Sequence, residues 1–407
     1  MARILMLTPQ PPYPPMQGTS LRNWHMLRAL AEVHDVTLLS FSESTSLSHA
    51  DGLRRISELL PAVEVPTRSG AKRLGQIFVS PLPDVALRLE SEDYLKALER
   101  ALETTGIDAV QIEGIELARY MSQVRSANSA LPIVLDCHNA ETRLQERAFR
   151  TDLSNPRRWP AALYSRLQIG RLADFECEAC LEADRVIAVS ESDSQYLKDL
   201  CGNTLPPVRV IPNTVDIFEY KWSGPIPQEQ KFDLLFTGKM DYRPNVDGIL
   251  WFADEVWPTI RERFPTITWG IVGQRPHARL DRLKSKPGIT LTGCVDQIQP
   301  YLAGARVYIL PLRLGSGTRL KLIEAMSAGK AIVSTTLGAE GFPVLNGREL
   351  LLADSASEMA KAIISLLENP TLGEQLSNNA QAFVQAYDWR STISLVAELY
   401  EELIDLR

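Results

Sequence analysis

Two doubly wound α/β domains with parallel sheets are what this chain predicts, and three observations carry the prediction. Short β-branched runs alternate with amphipathic helical stretches from end to end. The series breaks at a Pro/Gly and Gln/Glu stretch around 223–230 and then starts again. In the second series a glycine-rich turn joins an apolar strand to a helix. Alternating strand and helix implies parallel strands joined by crossovers. A length of 407 residues exceeds one hydrophobic core.

Taken in order, the first series predicts strands at 3–7, 36–41, 109–113, 133–136, 185–189 and 208–211, with helices such as 20–31 and 116–125 between them. The second predicts strands at 233–236, 268–272, 289–291, 306–310, 331–334 and 349–352, and helices at 246–264, 318–328, 356–368 and 372–387. The expected organisation is a first Rossmann-like domain at 1–217, a linker at 218–231 containing Ser223-Gly224-Pro225-Ile226-Pro227, and a second domain at 232–388. A final helix at 389–407, after Trp389, is expected to pack back toward the first domain. In such sheets ligands bind outside the C-terminal ends of the strands, so two of them are expected to share a central cleft.

Composition narrows the functional classes. Hydrophobic residues make up 45% and charged residues 23%, as in ordinary globular proteins. The net charge of −7 disfavours nucleic acid as a partner. No apolar run has the length of a membrane span, and the short run at 3–7 reads as a strand rather than a signal peptide. Five cysteines, odd in number and sparse, fit a reducing, cytoplasmic setting. Cys177 and Cys180 form a CxxC, read as two buried or half-buried thiols one turn apart, with no second pair or nearby histidine to complete a zinc site.

The stretch Gly315-Ser316-Gly317-Thr318-Arg319-Leu320-Lys321-Leu322-Ile323-Glu324-Ala325-Met326 is the most informative in the chain. A helix N-terminus offers free N–H groups and the positive end of a dipole, which suit phosphate. Arg319 and Lys321 in the first turn oppose that dipole unless an anion is bound. Glu324 lies seven residues past Gly317, about 10 Å along the axis. That is the reach from a pyrophosphate to a ribose, whose hydroxyls a carboxylate can accept.

Further candidates fall at strand ends. The proline-stiffened loop 9–18 leads to Gly18, which either lies against a phosphate or sugar or simply caps the helix carrying Arg22. Asp136-Cys137-His138-Asn139 ends the fourth strand, where an Asp and a His, Asp136 and His138, suit polar contact with a sugar, or His138 serves structure. Lys239 and Arg243, in Gly238-Lys239-Met240-Asp241-Tyr242-Arg243-Pro244-Asn245, either add positive charge or are solvated loop cations.

In order and spacing, these segments together with Val186-Ile187-Ala188-Val189-Ser190, Val210-Ile211-Pro212-Asn213-Thr214-Val215-Asp216, Trp251-Phe252 and Ala328-Gly329-Lys330 resemble family-4 retaining glycosyltransferases of the GT-B fold. The resemblance covers essentially the whole chain. It implies a second domain that binds a UDP- or GDP-sugar and a first, acceptor-side domain. Glu324 matches the second glutamate of the family's paired-glutamate motif, which holds the ribose. The position of the first glutamate, eight residues earlier, is Ser316, a departure from the pattern. The Gly-Thr-Arg-Leu-Lys form resembles a subgroup in which Gly317, Thr318, Arg319 and Lys321 handle the phosphates. Asn213-Thr214 replaces the commoner Asn-Gly. His138 matches the cleft histidine that contacts the donor sugar near the reacting carbon. The implied catalytic set is His138, Lys321 and Glu324. The implied donor set is Gly18, Gly238, Lys239, Arg243, Gly315, Ser316, Gly317, Thr318, Arg319 and Asn213.

The resemblance further implies transfer to a glycan or lipid-linked acceptor with retention, in cell-surface polysaccharide or glycolipid synthesis, with no cofactor and no divalent metal. No DxD-type aspartate pair stands beside the phosphate motif. Two alternatives stay open: a catalytically silent sugar-nucleotide-binding subunit, and a nucleotide-sugar epimerase of the same fold. From Arg143 to Arg171 seven arginines face two acids, with Leu153, Trp159, Leu163, Tyr164 and Leu167 interleaved. Such a segment suits the anionic inner face of a membrane, or is a solvated helical insertion.

Overall fold

The computed structural model describes residues 1–15, 18–43, 50–104, 106–153, 156–315 and 317–405, so Ser316 lies outside the described residues. The chain divides into one unit of Met1–Asn213 with Trp389–Arg407 and a second of Thr214–Asp388. The stretch 218–231, read as a linker, therefore falls inside the second unit.

The first unit is built on β1 (Arg3–Thr8), β2 (Asp35–Ser42), β3 (Glu58–Leu59), β4 (Val63–Glu64), β5 (Ala109–Glu113), β6 (Ile133–Cys137), β7 (Arg185–Ala188) and β8 (Val208–Val210). The order is β3-β2-β1-β5-β6-β7-β8 with β4 on β2, and the pairings are parallel. Alternate residues serve opposite faces, as a doubly covered sheet requires. Leu5, Leu7, Val110, Ile112, Ile133 and Leu135 enter one core, and Ile4, Met6, Ala109 and Val134 the other. The β5 residues Gln111 and Glu113 and the β6 residue Asp136 share the parity of this second face, yet are polar and fully buried. Strand order reverses between β1 and β5, and the loops leaving those strands open there.

The helix Thr392–Asp405 closes the second face. It buries Val396, Leu399, Tyr400 and Leu403, one helical stripe, against the helix Gly18–Ala31 and the sheet. Arg28 stacks on Trp389 just before it, its guanidinium 3.7 Å from the ring centre. Two readings are corrected here. The span 116–125 is a 3₁₀ segment, Ile115–Tyr120, followed by the α-helix Met121–Ala127. The strands β3 and β4 escape pattern reading because two residues show no alternation.

The second unit comprises β9 (Phe232–Thr237), β10 (Trp269–Val272), β11 (Ile289–Gly293), β12 (Ala305–Leu310), β13 (Ala331–Ser334) and β14 (Leu351–Leu352), in the order β11-β10-β9-β12-β13-β14. All pairings are parallel. Here the order reverses between β9 and β12, which puts the loop after Thr237 beside the glycine-rich turn after Leu310. Backbones pack tightly there. A Cβ on Gly273 would sit 1.7 Å from the Gly238 carbonyl oxygen, and one on Gly248 would sit 2.5 Å from that of Pro311. The span 246–264 is interrupted: Arg243–Trp251 and Trp257–Arg263 are α-helical, with a π-turn at Phe252–Val256. The wider turn accommodates Pro258, which lacks an N–H and opens the second helix.

Candidate active site

The second unit's candidate site forms at its strand reversal. The helix after the glycine turn is Leu320–Ser327, two residues later than its pattern suggests. Arg319 is its N-cap residue with non-helical backbone (φ −97°, ψ 80°), so of the two cations only Lys321 occupies the first turn. Gly315 and Gly317 have φ of 100° and 82°, a left-handed backbone that glycine adopts without strain. Lys321 Nζ donates to the Asn245 side-chain oxygen at 2.8 Å and to the Thr237 carbonyl at 3.2 Å, and lies 4.7 Å from the centre of the Phe236 ring. A Cβ on Gly238 would stand 2.7 Å from that Nζ, so glycine there leaves room for the ammonium. Burial lowers the Lys321 pKa from 10.5 to about 7, against the raising influence of Glu324. The ammonium is thus held beside a helix N-terminus at a cost that an anion would offset.

Glu324 stands one turn further on. Its Oε1 accepts a 3.1 Å hydrogen bond from the Tyr220 hydroxyl. Burial raises its pKa, while Tyr220 and Lys321 oppose the shift. Beneath them Tyr308 and Thr237 share a buried 2.8 Å hydrogen bond. Arg319 is buried with the same turn, 6% exposed. Lys239 lies 3.8 Å from Asp241, which Arg275 also approaches, and Arg243 is the half-buried first residue of its helix. The structure therefore gathers Lys321, Glu324, Gly238, Gly315, Gly317, Thr318 and Arg319 around one helix end, with Lys239 already facing a carboxylate.

The first unit holds a separate cluster at the ends of β5 and β6. Glu113 and Asp136 are register neighbours with no exposure. Two adjacent buried carboxylates require positive charge. Arg22, from the helix Gly18–Ala31, donates to both oxygens of Asp136 at 2.6–3.2 Å and also to the Ile211 carbonyl and the Asn213 side-chain oxygen, both at 3.1 Å. His138 Nε2 meets Glu113 Oε2 at 2.9 Å. Asn23, oriented to satisfy its amide, turns its NH₂ to Glu113 Oε2 at 3.0 Å and to the Thr19 carbonyl at 3.1 Å, and the same nitrogen stands 3.1 Å from His138 Nε2. Burial raises the Glu113 pKa, as does Asp136. Burial opposes charge on His138, but the Glu113 hydrogen bond and the charges of Asp136 and Glu113 outweigh it, so its pKa lies above the usual 6.5. Donor atoms of Glu113, Asp136 and His138 lie within 4.8 Å of one another, and the cation among them here is Arg22.

His138 also lines a cavity of about 290 Å³ with Asn139, Glu141, Gln145, Tyr164 and Gln168. The helix that carries Glu141 and Gln145 is anchored by Glu176, whose carboxylate accepts the first N–H groups of the helix Glu141–Leu153, from Glu141 at 2.7 Å and Thr142 at 3.0 Å. Burial pushes Glu141 up to about 7. Gln168, 4% exposed, accepts the Asp84 N–H at 2.8 Å, while its NH₂ group finds no acceptor among the described residues. A buried donor of this kind suits a ligand oxygen.

Placement corrects some expectations from the residues alone. Asp136 does not face a ligand, because Arg22 occupies both its oxygens. Asn213 is buried with its side-chain oxygen accepting from Arg22, and it lies with Gly18 in the first unit, where the sequence reading put both. Sequence reasoning missed Gln111, Glu113, Asn23, Tyr220 and Asn245. A signal was present for the first two: polar residues alternating with apolar ones in a central parallel strand must be buried and hydrogen-bonded. The CxxC also gains neighbours: Cys180 Sγ lies 4.0 Å from Cys137 Sγ, and Cys201 interacts with Cys177 and Cys180.

Comparison with known proteins places this geometry. Residues 16–218 match the model described as Glycosyltransferase Family 4, and residues 231–369 match Glycosyl transferases group 1. The chain belongs to the group 1, family-4 glycosyltransferases. Among curated relatives, a phosphatidyl-myo-inositol mannosyltransferase of Mycobacterium tuberculosis is 29% identical over 231 residues, 53% of this chain and 58% of that protein. An uncharacterised 44.6 kDa protein of the Klebsiella pneumoniae cps region is 28% identical over 180 residues, 41% of this chain and 46% of its own length. The matches thus span about half the length of these relatives. Among solved structures, sucrose-phosphate synthase from Thermosynechococcus elongatus superposes over the full length of both chains, with a TM-score of 0.72 at 15% identity. Anabaena HepE in complex with UDP and glucose matches 98% of this chain and 100% of its own with a TM-score of 0.64 at 15% identity, and WaaG of lipopolysaccharide biosynthesis 97% and 99% with 0.63 at 15%. These neighbours give the glycosyltransferase its fold class, GT-B, with two parallel-sheet α/β domains. No helix among the described residues is long and apolar enough to cross a membrane.

Proposed function

We propose that this glycosyltransferase moves a sugar from a nucleoside-diphosphate sugar to an acceptor hydroxyl with retention of anomeric configuration. One observation carries the reading: the Lys321 ammonium is held at a helix N-terminus behind a glycine turn, with the Glu324 carboxylate one turn away. Lys321 and the turn's N–H groups bind the diphosphate, with Arg319 and Thr318 shaping the turn. Glu324, steadied by Tyr220, accepts from the ribose hydroxyls. Ser316 stands where the family's sugar-binding glutamate is expected, and His138 contacts the sugar. The relative solved with UDP and glucose supports a UDP-sugar, and a GDP-sugar remains the second candidate.

In the reaction the bond from the anomeric carbon to the diphosphate breaks and the acceptor oxygen bonds to that carbon on the same face. The acceptor's proton leaves with the diphosphate. Lys321 stabilises the charge that grows on the leaving oxygen, the kind of preorganised electrostatic contribution that dominates such steps. The cavity beside His138 takes the acceptor, whose hydroxyls find the Gln168 NH₂ and the Glu141 carboxyl. The relative named as acting on phosphatidyl-myo-inositol and the exposed stripe Trp159, Leu163 and Leu167 support a lipid-linked acceptor met at an anionic membrane. That stripe repeats every four residues on the helix Trp159–Glu182, beside exposed Arg166. Arg143 and Arg158 are instead engaged within the protein, by Ser192 and Asp152. The proposed setting is the cytoplasmic face of the membrane, in surface polysaccharide or glycolipid synthesis.

The reading is tested by proton NMR of the glycoside formed from α-linked UDP- or GDP-sugars with lipid-linked acceptors. An α-linked product is expected. A β-linked product refutes retention, and release of free sugar or an epimerised donor without transfer refutes the transferase reading.

A further inference from the structure

Glu113 is fully buried and holds His138 through one oxygen, Oε2, at 2.9 Å. Its other oxygen, Oε1, accepts from the Gln111 NH₂ at 2.5 Å. Gln111, two residues earlier on β5, points to the same face and is equally buried. Its own side-chain oxygen accepts a 2.7 Å hydrogen bond from the hydroxyl of Tyr400, which comes from the helix Thr392–Asp405, 289 residues along the chain. Three consecutive hydrogen bonds, the first two buried, therefore run from the C-terminal helix to the half-buried imidazole.

The order of donors in this row matters. A tyrosine hydroxyl donates readily, and the Tyr400 proton selects the Gln111 oxygen as its acceptor. That choice aims the Gln111 NH₂ at Glu113. Without the hydroxyl, the buried Gln111 oxygen has lost its donor and the amide is held at one end only, through Glu113. Nothing in hydrophobic packing requires this row. A Phe at 400 and an apolar residue at 111 would fill the same core.

We infer that Tyr400 is a positioning residue for His138, acting through Gln111 and Glu113, so that the C-terminal helix is part of the sugar-contacting apparatus as well as part of the first unit's core. Tyr400 orients Gln111, Gln111 fixes Glu113, and Glu113 fixes the ring orientation and the Nε2–H tautomer of His138, leaving Nδ1 as the atom turned away from the carboxylate. The kinetic side of this inference rests on the proposed role of His138; the spectroscopic side does not.

The test uses the full chain with Tyr400→Phe, a second variant Gln111→Met, and a packing control, Leu399→Ala. Leu399 is buried in the same helix. The chain has five histidines, so the His138 imidazole signals can be assigned by loss in His138→Ala. Long-range ¹H–¹⁵N spectra at fixed pH report the tautomer. Tyr400→Phe and Gln111→Met are expected to shift the His138 nitrogens and to lower kcat about tenfold, the worth of one lost buried hydrogen bond. Affinity for the nucleoside diphosphate is expected to stay unchanged. Leu399→Ala is expected to lower Tm and leave the His138 signals in place. The inference is overturned if Tyr400→Phe leaves the His138 nitrogens as in the wild type, or if Leu399→Ala moves them equally. Shifted nitrogens with no transfer from any donor would uphold the row while refuting the transferase reading.

Discussion

The pH dependence of donor binding follows from Lys321. Its pKa stands near 7 instead of 10.5. At about 1.4 kcal/mol per tenfold change in proton affinity this corresponds to roughly 5 kcal/mol. The side chain keeps some solvent contact, so about 2–3 kcal/mol is the working figure for what a bound anion returns. A diphosphate raises the Lys321 pKa, so the complex retains a proton that the free protein loses above pH 7. Affinity is therefore full below pH 7 and falls as pH rises, by at most about tenfold per pH unit for one proton. Between pH 7 and 9 the Kd of UDP-glucose, or of its GDP counterpart, is expected to rise by about 10- to 30-fold. Both phosphates of a nucleotide sugar stay ionised over this range, so the ligand contributes no slope. Lys321→Met is expected to bind weakly at pH 7 and to show a flat profile, converging on the wild type at pH 9. Isothermal titration in buffers of different ionisation enthalpy would also report proton uptake. A pH-independent wild-type Kd, or the same slope in Lys321→Met, would refute the reasoning.

Three further outcomes are expected. Tyr220→Phe removes the hydrogen bond to Glu324 and weakens donor binding by about 3- to 10-fold at constant fold stability, as one lost hydrogen bond predicts, measured by titration and thermal melting. Gly248→Ala forces a methyl to within 2.5 Å of the Pro311 carbonyl and is expected to lower stability by about 2 kcal/mol or more through overpacking, read as a drop in denaturant midpoint. Flotation with anionic liposomes is expected to carry the protein at low salt, and Trp159→Ser/Leu163→Ser to abolish it; absence of binding by the wild type would remove the membrane proposal.

Much of this was legible because local chemistry was consistent. The strands alternate with helices at predictable spacing, and the sites fall at strand ends, where a reversal of strand order opens space. The glycines at 315 and 317, Lys321 and Glu324 were readable because they lie within one turn-and-helix segment. Gln111 and Glu113 show themselves only as polar residues alternating in a buried strand, which does not name their partners, and Tyr400 arrives from the far end of the chain. Tyr220 reaches Glu324 across 104 residues. Such contacts depend on long-range packing that no local pattern encodes. Asp136 misled for a related reason: its place at a strand end suits a ligand, but a second buried carboxylate beside it calls for Arg22. The late start of the helix Leu320–Ser327, which leaves Arg319 at the cap, reflects the left-handed glycines that delay helical geometry.

The central claim is that the turn after β12 and its helix bind a nucleoside diphosphate. Titration calorimetry of the wild type and Glu324→Ala with UDP, GDP and their sugars tests it most directly. One base is expected to bind in the micromolar range and to lose about tenfold or more in Glu324→Ala, a change matching loss of a charged hydrogen-bond acceptor. No binding of any nucleotide, or binding indifferent to Glu324, would contradict the account.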